Sequence, residues 1–263
     1  MKILVCAKRV PEMGETEIAI AADARDIERD DLVYTVNEPD NYAVEEALQI
    51  VARVGGEVTV VTVGSDDDEE ILRRELAMGA HHAVLLVDEA FAGSDGRGVA
   101  EILAGFVRKH GFDLILTGVQ ADDGAAQVGG MLAALLDYPF ASLVNAIEVT
   151  GERTLKIARE IEGGSRETNE IDLPCVLSIQ TGINEPRYVG MRGIRQAAAL
   201  DVPALSASDL GLDPAAFGAS AARVIRQDYF IPAVEKHADM LTGKREATVD
   251  ALYTLLQAKG AVK

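Results

Sequence analysis

The segment from Phe112 to Leu136 combines a short apolar run, a glycine-bearing loop and a helical apolar pattern. Asp113–Thr117 predicts a strand, Gly118–Gly124 has the composition of a loop, and a helix is expected from about Ala126. A loop that leads from a strand into a helix N-terminus exposes unpaired backbone N–H groups, and the helix dipole favours an anion there. The pattern therefore indicates either a phosphate-binding turn or an ordinary strand-to-helix connection.

The composition is that of an acidic globular protein. Of 263 residues, 48% are hydrophobic, which is enough for a sizeable core. The net charge of −18 argues against nucleic acid as a partner, because phosphate backbones require basic surfaces. Apolar runs stay shorter than the roughly 18 residues of a membrane span, so no membrane insertion is expected. The N-terminal apolar segment is too short for a signal peptide, and we expect a cytoplasmic location.

Other chemically versatile residues are explained more simply by structure. Cys6 and Cys175 lie in apolar runs without a nearby His or Cys, so buried structural thiols are expected. Asp66–Glu70 follows Ser65, a good N-cap residue, and acidic side chains are favoured in a first helical turn. We therefore expect a helix start there, and no metal site. No nucleophile elbow or phosphate-loop lysine motif occurs, so no catalytic residue is predicted.

Alternating strand and helix patterns predict a doubly wound, mostly parallel α/β sheet that is completed by antiparallel strands. In such sheets, ligands bind at the carboxyl ends of the strands, near the point where the strand order reverses. Four segments are therefore expected to converge on one ligand: Ala7–Gly14, Asn37–Asp40, Gly64–Asp66 and Gly118–Gln127.

The sequence also predicts a hairpin near the N-terminus, antiparallel strands in the second half and a C-terminal arm. Glu17–Ala21 and Asp31–Val36 favour a hairpin, and the strands between residues 141 and 180 favour an antiparallel completion of the sheet. We expect an α/β domain over residues 1–200 and a C-terminal arm over residues 201–263. In the arm, the patterns predict a short helix at Ser206–Leu212, a strand at Arg223–Ile231 and a helix at Lys244–Lys259.

The glycine-bearing segment 182–194 contains arginines in an otherwise acidic protein. The segment is interpreted either as a surface loop whose arginines pair with nearby carboxylates, or as a docking loop with Met191 as an apolar anchor. Methionine and arginine are both enriched at protein interfaces.

Six short segments carry a family resemblance, and they occur in one order along the chain. They are Lys8–Pro11, Asn37–Ala47, Glu75–Ala80, Asp113–Gln120, Arg159–Gly164 and Asn184–Tyr188. Together they resemble the small (beta) subunit of electron transfer flavoproteins over roughly residues 1–215. The resemblance implies an electron carrier without bond-making catalysis of its own. It also implies a heterodimer in which the alpha subunit holds most of a redox-active FAD and the beta subunit buries an AMP.

The resemblance also implies a set of pocket residues. Backbone N–H groups of Gly124–Gln127 and the following helix start would hold phosphate, and backbone near Cys6 and Val63 would flank adenine. The candidate cofactor-binding residues are Cys6, Asn37, Glu38, Pro39, Asp40, Val63, Ala121, Asp122, Asp123, Gly124, Ala125, Ala126, Gln127, Val128, Gly129 and Met131.

A third implication concerns partners. Residues 184–194 resemble the family's recognition loop, which inserts an apolar side chain into a flavin-containing dehydrogenase. The C-terminal arm, with its amphipathic final helix, is expected to pack on the partner subunit, and the alternative is that it packs back on its own domain. Electrons would pass on to a quinone reductase or another acceptor. The candidate docking residues are Pro186, Arg187, Tyr188, Met191, Arg192 and Ile194.

Departures from the family pattern leave alternatives open. The loop from Gln120 to Gly129 is one residue shorter than usual, and Gly124–Gln127 mixes features of AMP-binding members and of electron-bifurcating members that hold a second FAD and accept electrons from NADH. Gln196–Leu200 replaces a usual basic run, which favours a trimethylamine-dehydrogenase-type donor over an acyl-CoA dehydrogenase. A stand-alone nucleotide-binding protein of the universal-stress type is the alternative from another class.

Overall fold

A computed structural model describes residues 1–14, 18–121, 124–233 and 238–262. Its strands and helices, in chain order, are β1 (Lys2–Cys6), β2 (Arg9–Pro11), β3 (Tyr34–Val36), α1 (Glu38–Val54), β4 (Glu57–Val63), α2 (Glu69–Met78), β5 (His82–Leu86), α3 (Gly96–His110), β6 (Leu114–Gly118), α4 (Val128–Leu136), β7 (Phe140–Val149), β8 (Thr154–Ile161), β9 (Ser165–Asp172), β10 (Cys175–Ile179), α5 (Met191–Ala197), β11 (Ala204–Leu205) and α6 (Arg245–Ala258).

The main sheet runs in the order β11-β5-β4-β1-β6-β10-β7-β8-β9. Neighbouring strands are parallel from β11 to β7, and β8 is antiparallel to both β7 and β9. The predicted α/β fold with a mostly parallel sheet is confirmed. The strand order reverses at β1, which lies between β4 and β6. Ligand-binding crevices form at such a reversal, on the carboxyl side of the strands.

Two apolar layers enclose the sheet. In β1, Ile3 and Val5 face the layer that contains α1 and α2, whereas Leu4 faces the layer that contains α3 and α4. This alternation follows from the two-residue period of a strand, and a strand that is apolar on both faces must be covered on both. The carboxyl ends of β1, β4 and β6 are thereby fixed side by side within a rigid core.

The acidic run after β4 is a helix start, as predicted. Asp66–Asp68 forms a 3-10 turn that leads into α2. The Asp68 carboxylate accepts hydrogen bonds from the backbone N–H of Ser65 at 2.6 Å and from its hydroxyl at 2.9 Å. Among the described residues, no group of three or more His, Cys, Asp or Glu side chains could hold a metal ion.

The predicted hairpin between residues 17 and 36 is wrong. Tyr34–Val36 instead pairs antiparallel with Arg9–Pro11, a segment that the sequence assigned to a loop. Ile20 and Ile27 form a single isolated bridge, and Glu17 lies outside the described residues. Stacking of the Arg9 guanidinium over the Tyr34 ring, 3.7 Å from its centroid, supports the observed pairing. A contact of this kind between distant segments has no local sequence signal.

The second half departs from the expected antiparallel completion in one respect. β10 inserts between β6 and β7 and is parallel to both, so the antiparallel pairs of the main sheet are β7 with β8 and β8 with β9. Insertion of β10 extends the buried parallel core by one strand, and Cys175 in this strand is fully buried as predicted. Cys6, at the end of β1, is instead partly exposed.

The arm also differs from the prediction. Ser206–Leu212 forms turns and Arg223–Ile231 is not a strand, whereas the final helix is present as α6. Residues 204–224 pack on the domain: Phe217 is buried edge-on against Phe91, with ring centroids 5.5 Å apart. Beyond this point large apolar side chains become exposed, and α6 buries none of its described residues.

Candidate functional site

The Asp40 carboxylate joins the two strand ends at the reversal of strand order. One oxygen, Oδ2, accepts a hydrogen bond from the backbone N–H of Lys8 at 2.8 Å, just after β1. The other, Oδ1, accepts from the backbone N–H of Gly118 at 2.8 Å, at the end of β6. A Cβ at Gly118 would lie 2.3 Å from Asp40 Oδ1, so only glycine allows this approach. Asp40 therefore braces the floor of the crevice from the first turn of α1.

Burial raises the pKa of Asp40 to about 7, although hydrogen bonds from Asn37, Gly118 and Lys8 oppose the shift. The carboxyl group is thus close to its titration point near neutral pH. The brace holds best when the carboxylate is charged, because an ionised carboxylate accepts both backbone hydrogen bonds without competition from a bound proton.

Asn37 attaches the loop after β6 to the same brace. Its side-chain Nδ2 donates to the carbonyl oxygen of Gln120 at 3.1 Å, and its backbone N–H donates to the carbonyl oxygen of Lys8 at 2.8 Å. Gln120 in turn donates from Nε2 to the carbonyl oxygen of Gly124 at 3.0 Å. The two segments Asn37–Asp40 and Gly118–Gly124 are therefore brought together, as the topology argument requires.

The loop enters α4 two residues later than the sequence predicted. Ala126 has a positive φ of 55°, a left-handed conformation that cannot lie inside a helix, and α4 begins at Val128. Ala125 and Ala126 are exposed. The first turn of a helix leaves its N–H groups without intrahelical partners, so this end of α4 presents donors and a positive dipole end.

Gly129 seats α4 on the strand ends. A Cβ at this position would lie 2.4 Å from Ser178 Oγ and 2.9 Å from Thr117 Oγ1, whereas a Cβ at Gly130 would make only ordinary contacts. Ser178 and Thr117 are buried, and their hydroxyls form a hydrogen bond of 2.9 Å between β10 and β6. Gly129 therefore sets how close the helix N-terminus lies to the sheet.

Apolar side chains lie at the same strand ends, on the α3 and α4 side of the sheet. The partly exposed residues Cys6, Val63, Val128 and Met131 all pack against the core cluster on the α3 and α4 side. Burial, together with the Asp40 charge, raises the pKa of the Cys6 thiol, so the thiol stays protonated and is a weak nucleophile. Apolar surface beside helix N–H donors fits an adenine nucleotide, which presents a flat base and a phosphate.

The remaining candidate pocket residues have less direct roles in the geometry. Glu38 and Pro39 form the first turn of α1, and Pro39 lies under Gly118. The Gln127 side chain packs against Gly96 at the N-terminus of α3. Asp122 and Asp123 lie outside the described residues.

The candidate docking residues lie on a separate surface beside α1 and α2. Tyr188, Met191 and Ile194 are exposed, with Tyr188 95% and Met191 67% accessible. The segment is not a loop throughout, because Met191 begins the short helix α5. The Arg187 guanidinium pairs with the buried Glu45, with Nε 2.7 Å from Oε2, while 45% of the Arg187 side chain stays exposed.

Comparison with known proteins covers the whole chain. Residues 26–210 match the protein family that is described as "Electron transfer flavoprotein domain". The chain is 38% identical to the electron transfer flavoprotein subunit beta of Methylophilus methylotrophus, over 99% of this chain and 100% of the relative. The chain belongs to the electron transfer flavoprotein family. The predicted resemblance to the beta subunit is confirmed.

Two further relatives show the range of this family. The chain is 37% identical to the caffeyl-CoA reductase-Etf complex subunit CarD of Acetobacterium woodii, with 92% of each chain covered. It is 34% identical to the protein FixA of Azorhizobium caulinodans, over 96% of this chain and 92% of the relative. As a beta subunit of an electron transfer flavoprotein, the chain acts in electron transfer together with an alpha subunit, a flavin and redox partners. In the described residues, no helix is both long and apolar enough to cross a membrane.

Sequence reasoning placed Lys8 and Gly118 in the converging segments Ala7–Gly14 and Gly118–Gln127 without a role of their own, and it missed Thr117 and Ser178. Lys8 and Gly118 contribute only backbone N–H groups, and Thr117 and Ser178 are small hydroxyls inside apolar strands. Gly118, directly after a strand, and the Gly129-Gly130 pair at a helix start were the available signals, because glycine in such places marks a close approach of backbone.

Proposed function

We propose that this chain closes over the FAD of its alpha subunit and buries an AMP at the carboxyl ends of β1, β4 and β6. The observation that carries the proposal is the Asp40 brace, which ties the two loops at the reversal of strand order to the first turn of α1. Such reversals are where open α/β sheets bind nucleotides. The crevice combines helix N–H donors with apolar side chains and is built by the described pocket segments.

In this proposal, the nucleotide is held largely by the main chain. The N–H groups of Gly124–Gln127 and the first turn of α4 receive the phosphate, and Cys6 and Val63 lie beside the base. Backbone N–H groups at a helix start attract phosphate through hydrogen bonds and the helix dipole, so no basic side chain is required there. A buried AMP would then contribute to the stability of the heterodimer and would take no part in bond making.

Electron uptake and release are the chemistry that a bound flavin supplies. The residues of this chain exclude water, position the partner subunit and present the docking surface. The protonated Cys6 thiol fits this division of roles, since it brings no reactive thiolate to the nucleotide.

The part of the arm that follows residue 224 is proposed to pack on the alpha subunit. Ile225, Phe230, Ile231 and Met240 are large, apolar and exposed, and the apolar side of α6 is exposed as well. Exposed apolar surface of this extent is typical of an interface. Asp95 fixes the point where the arm leaves the domain, because its Oδ2 accepts hydrogen bonds from the N–H groups of Arg223 and Val224.

Residues 184–194 are proposed to dock a flavin-containing dehydrogenase, with Met191 entering an apolar pocket. A flexible thioether adapts well to such a pocket. Electrons would then leave to a quinone reductase or another acceptor. The Met191→Ala variant should slow reduction by the dehydrogenase about tenfold, the size typical of an interface anchor, and leave the flavin spectrum unchanged. Unchanged reduction rates would refute this docking surface.

An electron-bifurcating role with a second FAD in the same crevice is the alternative. The chain is 37% identical to a subunit of a caffeyl-CoA reductase-Etf complex and 38% identical to the Methylophilus beta subunit. Because these identities are nearly equal, the likeness supports keeping this alternative. The two proposals share the fold, the alpha subunit and the crevice. They differ in which nucleotide the crevice holds.

Co-expression with the alpha subunit of the same organism tests the proposal. The full chain should yield a yellow heterodimer on size-exclusion chromatography, and a chain that ends at residue 224 should yield a folded beta domain without a stable heterodimer. A colourless full-length monomer from co-expression would instead support a stand-alone nucleotide-binding protein. A truncated chain that forms the heterodimer normally would refute the role of the arm.

A further inference from the structure

Arg187 is committed to contacts within its own chain. Its Nε lies 2.7 Å from Glu45 Oε2, its Nη2 lies 3.0 Å from Glu45 Oε1, and its backbone N–H donates to Oε2 at 3.2 Å. This is a bidentate arginine–carboxylate pair, the geometry with the greatest orientational constraint among ion pairs. The third nitrogen, Nη1, lies over Gly79 at the end of α2, 3.8 Å from where a Cβ would stand.

Glu45 is a buried and prepared partner for this arginine. Only 5% of its side chain is exposed, and Gln49, one turn further along α1, donates from Nε2 to Oε1 at 3.0 Å. Burial acts to raise the pKa of Glu45, but the hydrogen bonds from Arg187 and Gln49 outweigh it, so the pKa is lowered and the carboxylate stays charged.

A second contact holds the start of the same segment. The side chain of Asn184 donates from Nδ2 to the carbonyl oxygen of Tyr42 and to Glu46 Oε2, both at 3.1 Å. Glu46 is the neighbour of Glu45 on α1, so adjacent carboxylates of one helix hold the segment at two points three residues apart.

The far end of the segment is fixed on α2. A Cβ at Gly193 would lie 2.4 Å from the carbonyl oxygen of Ala77, so α5 lies directly against the α2 backbone. Arg73 of α2 donates from Nη1 to the carbonyl oxygens of Ala197 and Leu200 at 2.9 and 2.7 Å, which caps the end of α5. Tyr188, Met191 and Ile194 are exposed between these two anchored ends.

We infer that Arg187 is a positioning residue: its pair with Glu45 holds segment 184–194 in the geometry that presents Met191, and it is not itself a contact of the docked protein. The inference rests on the proposed docking function of this segment. A segment fixed before docking loses less conformational entropy on binding, so the anchors contribute to affinity without touching the partner. Both Arg187 and Arg192 are exposed, and they differ in their partners: Arg187 is held by Glu45, whereas Arg192 forms no ion pair among the described residues.

The test uses the flavin-loaded heterodimer and two donor probes, an acyl-CoA dehydrogenase and a trimethylamine dehydrogenase, and keeps the donor that reduces the wild type faster. The Glu45→Gln variant changes no exposed residue of the segment, yet it should raise the KM for the heterodimer about fivefold and change kcat less than twofold. Arg187→Gln should have the same effect, and the double variant should be no worse than either single variant, because the two residues act as one pair.

Hydrogen exchange on the heterodimer gives a second readout that needs no donor. Amide exchange across residues 184–194 should rise in Glu45→Gln and Arg187→Gln and stay unchanged in the control Arg192→Gln. The flavin absorbance verifies that each variant is assembled.

Each outcome decides between the roles. If Arg187→Gln raises KM while Glu45→Gln leaves both KM and amide exchange unchanged, Arg187 is a direct contact and the inference is wrong. If Met191→Ala leaves reduction unchanged, the docking proposal itself fails, and increased exchange in Glu45→Gln would still show that the pair orders the segment.

Discussion

Helices α1, of 17 residues, and α6, of 14 residues, both carry apolar residues at helical spacing, although the apolar side of α6 is less sharply segregated. The chain nevertheless uses the two helices in opposite ways. Eight residues of α1 are buried, among them the charged side chains Asp40, Glu45 and Glu46. No described residue of α6 is buried, and its apolar side chains Val249, Leu252 and Tyr253 remain exposed. An amphipathic pattern therefore predicts that a helix will bury one side, but not whether its own chain supplies the cover.

The difference also separates two kinds of polar residue. In α1, buried carboxylates accept hydrogen bonds from distant loops and so fix the ends of β1 and β6 and the segment 184–194. In α6, the polar side chains are solvated. The domain is thus organised around buried charges that must find partners within the chain. The arm beyond residue 224 instead exposes its apolar side chains, as the proposed packing on the alpha subunit requires.

The largest predicted difference between the two helices is the change in the free energy of unfolding when one leucine of each is replaced by alanine. Leu48→Ala in α1 removes a buried side chain of the core, so the free energy of unfolding of the isolated chain should fall by about 3 kcal/mol. Leu252→Ala in α6 should change it by less than about 0.5 kcal/mol. Urea unfolding followed by circular dichroism measures both. If Leu252→Ala lowers the free energy of unfolding by more than about 1 kcal/mol, α6 packs on its own domain.

Two adjacent glycines sharpen the account of the crevice. Gly129→Ala should lower the free energy of unfolding by about 2 kcal/mol, because its Cβ would overlap the buried hydroxyls of Ser178 and Thr117. Gly130→Ala has room for the methyl group and should be neutral or stabilising by up to about 1 kcal/mol, since alanine favours helix. Thermal unfolding of both variants gives the comparison. Equal effects at the two positions would contradict the close seating of α4.

The smallest predicted effect is a pH dependence that belongs to the domain. Burial raises the pKa of Glu75 from 4.5 to about 8. The positive charge of Arg74 opposes this shift, and the negative charge of Asp40 adds to it. Between these values the folded state keeps a proton that the unfolded state has released, so stability falls as pH rises. Glu75→Gln should make the slope of unfolding free energy against pH less steep, by at most about 1.4 kcal/mol per pH unit.

The control for this prediction lies in the arm. Glu246 is in the exposed first turn of α6, and Glu246→Gln should leave the slope unchanged. Some slope should persist in Glu75→Gln, because the pKa of Asp40 is also raised by burial. Urea titrations at pH 5 and pH 8 measure the difference, and an unchanged slope in Glu75→Gln would show that its carboxyl is not protonated in the folded state.

Local sequence patterns were sufficient to predict a helix or strand where its apolar residues recur with the period of that element. The cap at Ser65, the apolar run Asp113–Thr117 and the helical pattern of Lys244–Lys259 all predicted elements that the structure contains. The convergence of Asn37–Asp40 with the loop after β6 was also predictable, because strand topology dictates it. The residue-level roles in the pocket and the docking segment stay predictions until a nucleotide or a partner is bound.

Contacts between distant segments could not be predicted from local patterns. The pairing of β2 with β3, the insertion of β10 between β6 and β7 and the Arg187–Glu45 pair all join residues that are remote in sequence. The delayed start of α4 depends on a left-handed Ala126, a conformation that alanine rarely adopts. These features are stabilised by tertiary contacts, which form only when the whole domain has folded.

The central claim is that the crevice braced by Asp40 holds an AMP while the alpha subunit holds the flavin. The most direct measurement is the nucleotide content of the purified heterodimer, released by acid and separated by chromatography. The account predicts one FAD and one AMP per heterodimer. Two FAD per heterodimer, or one FAD without AMP, would contradict it.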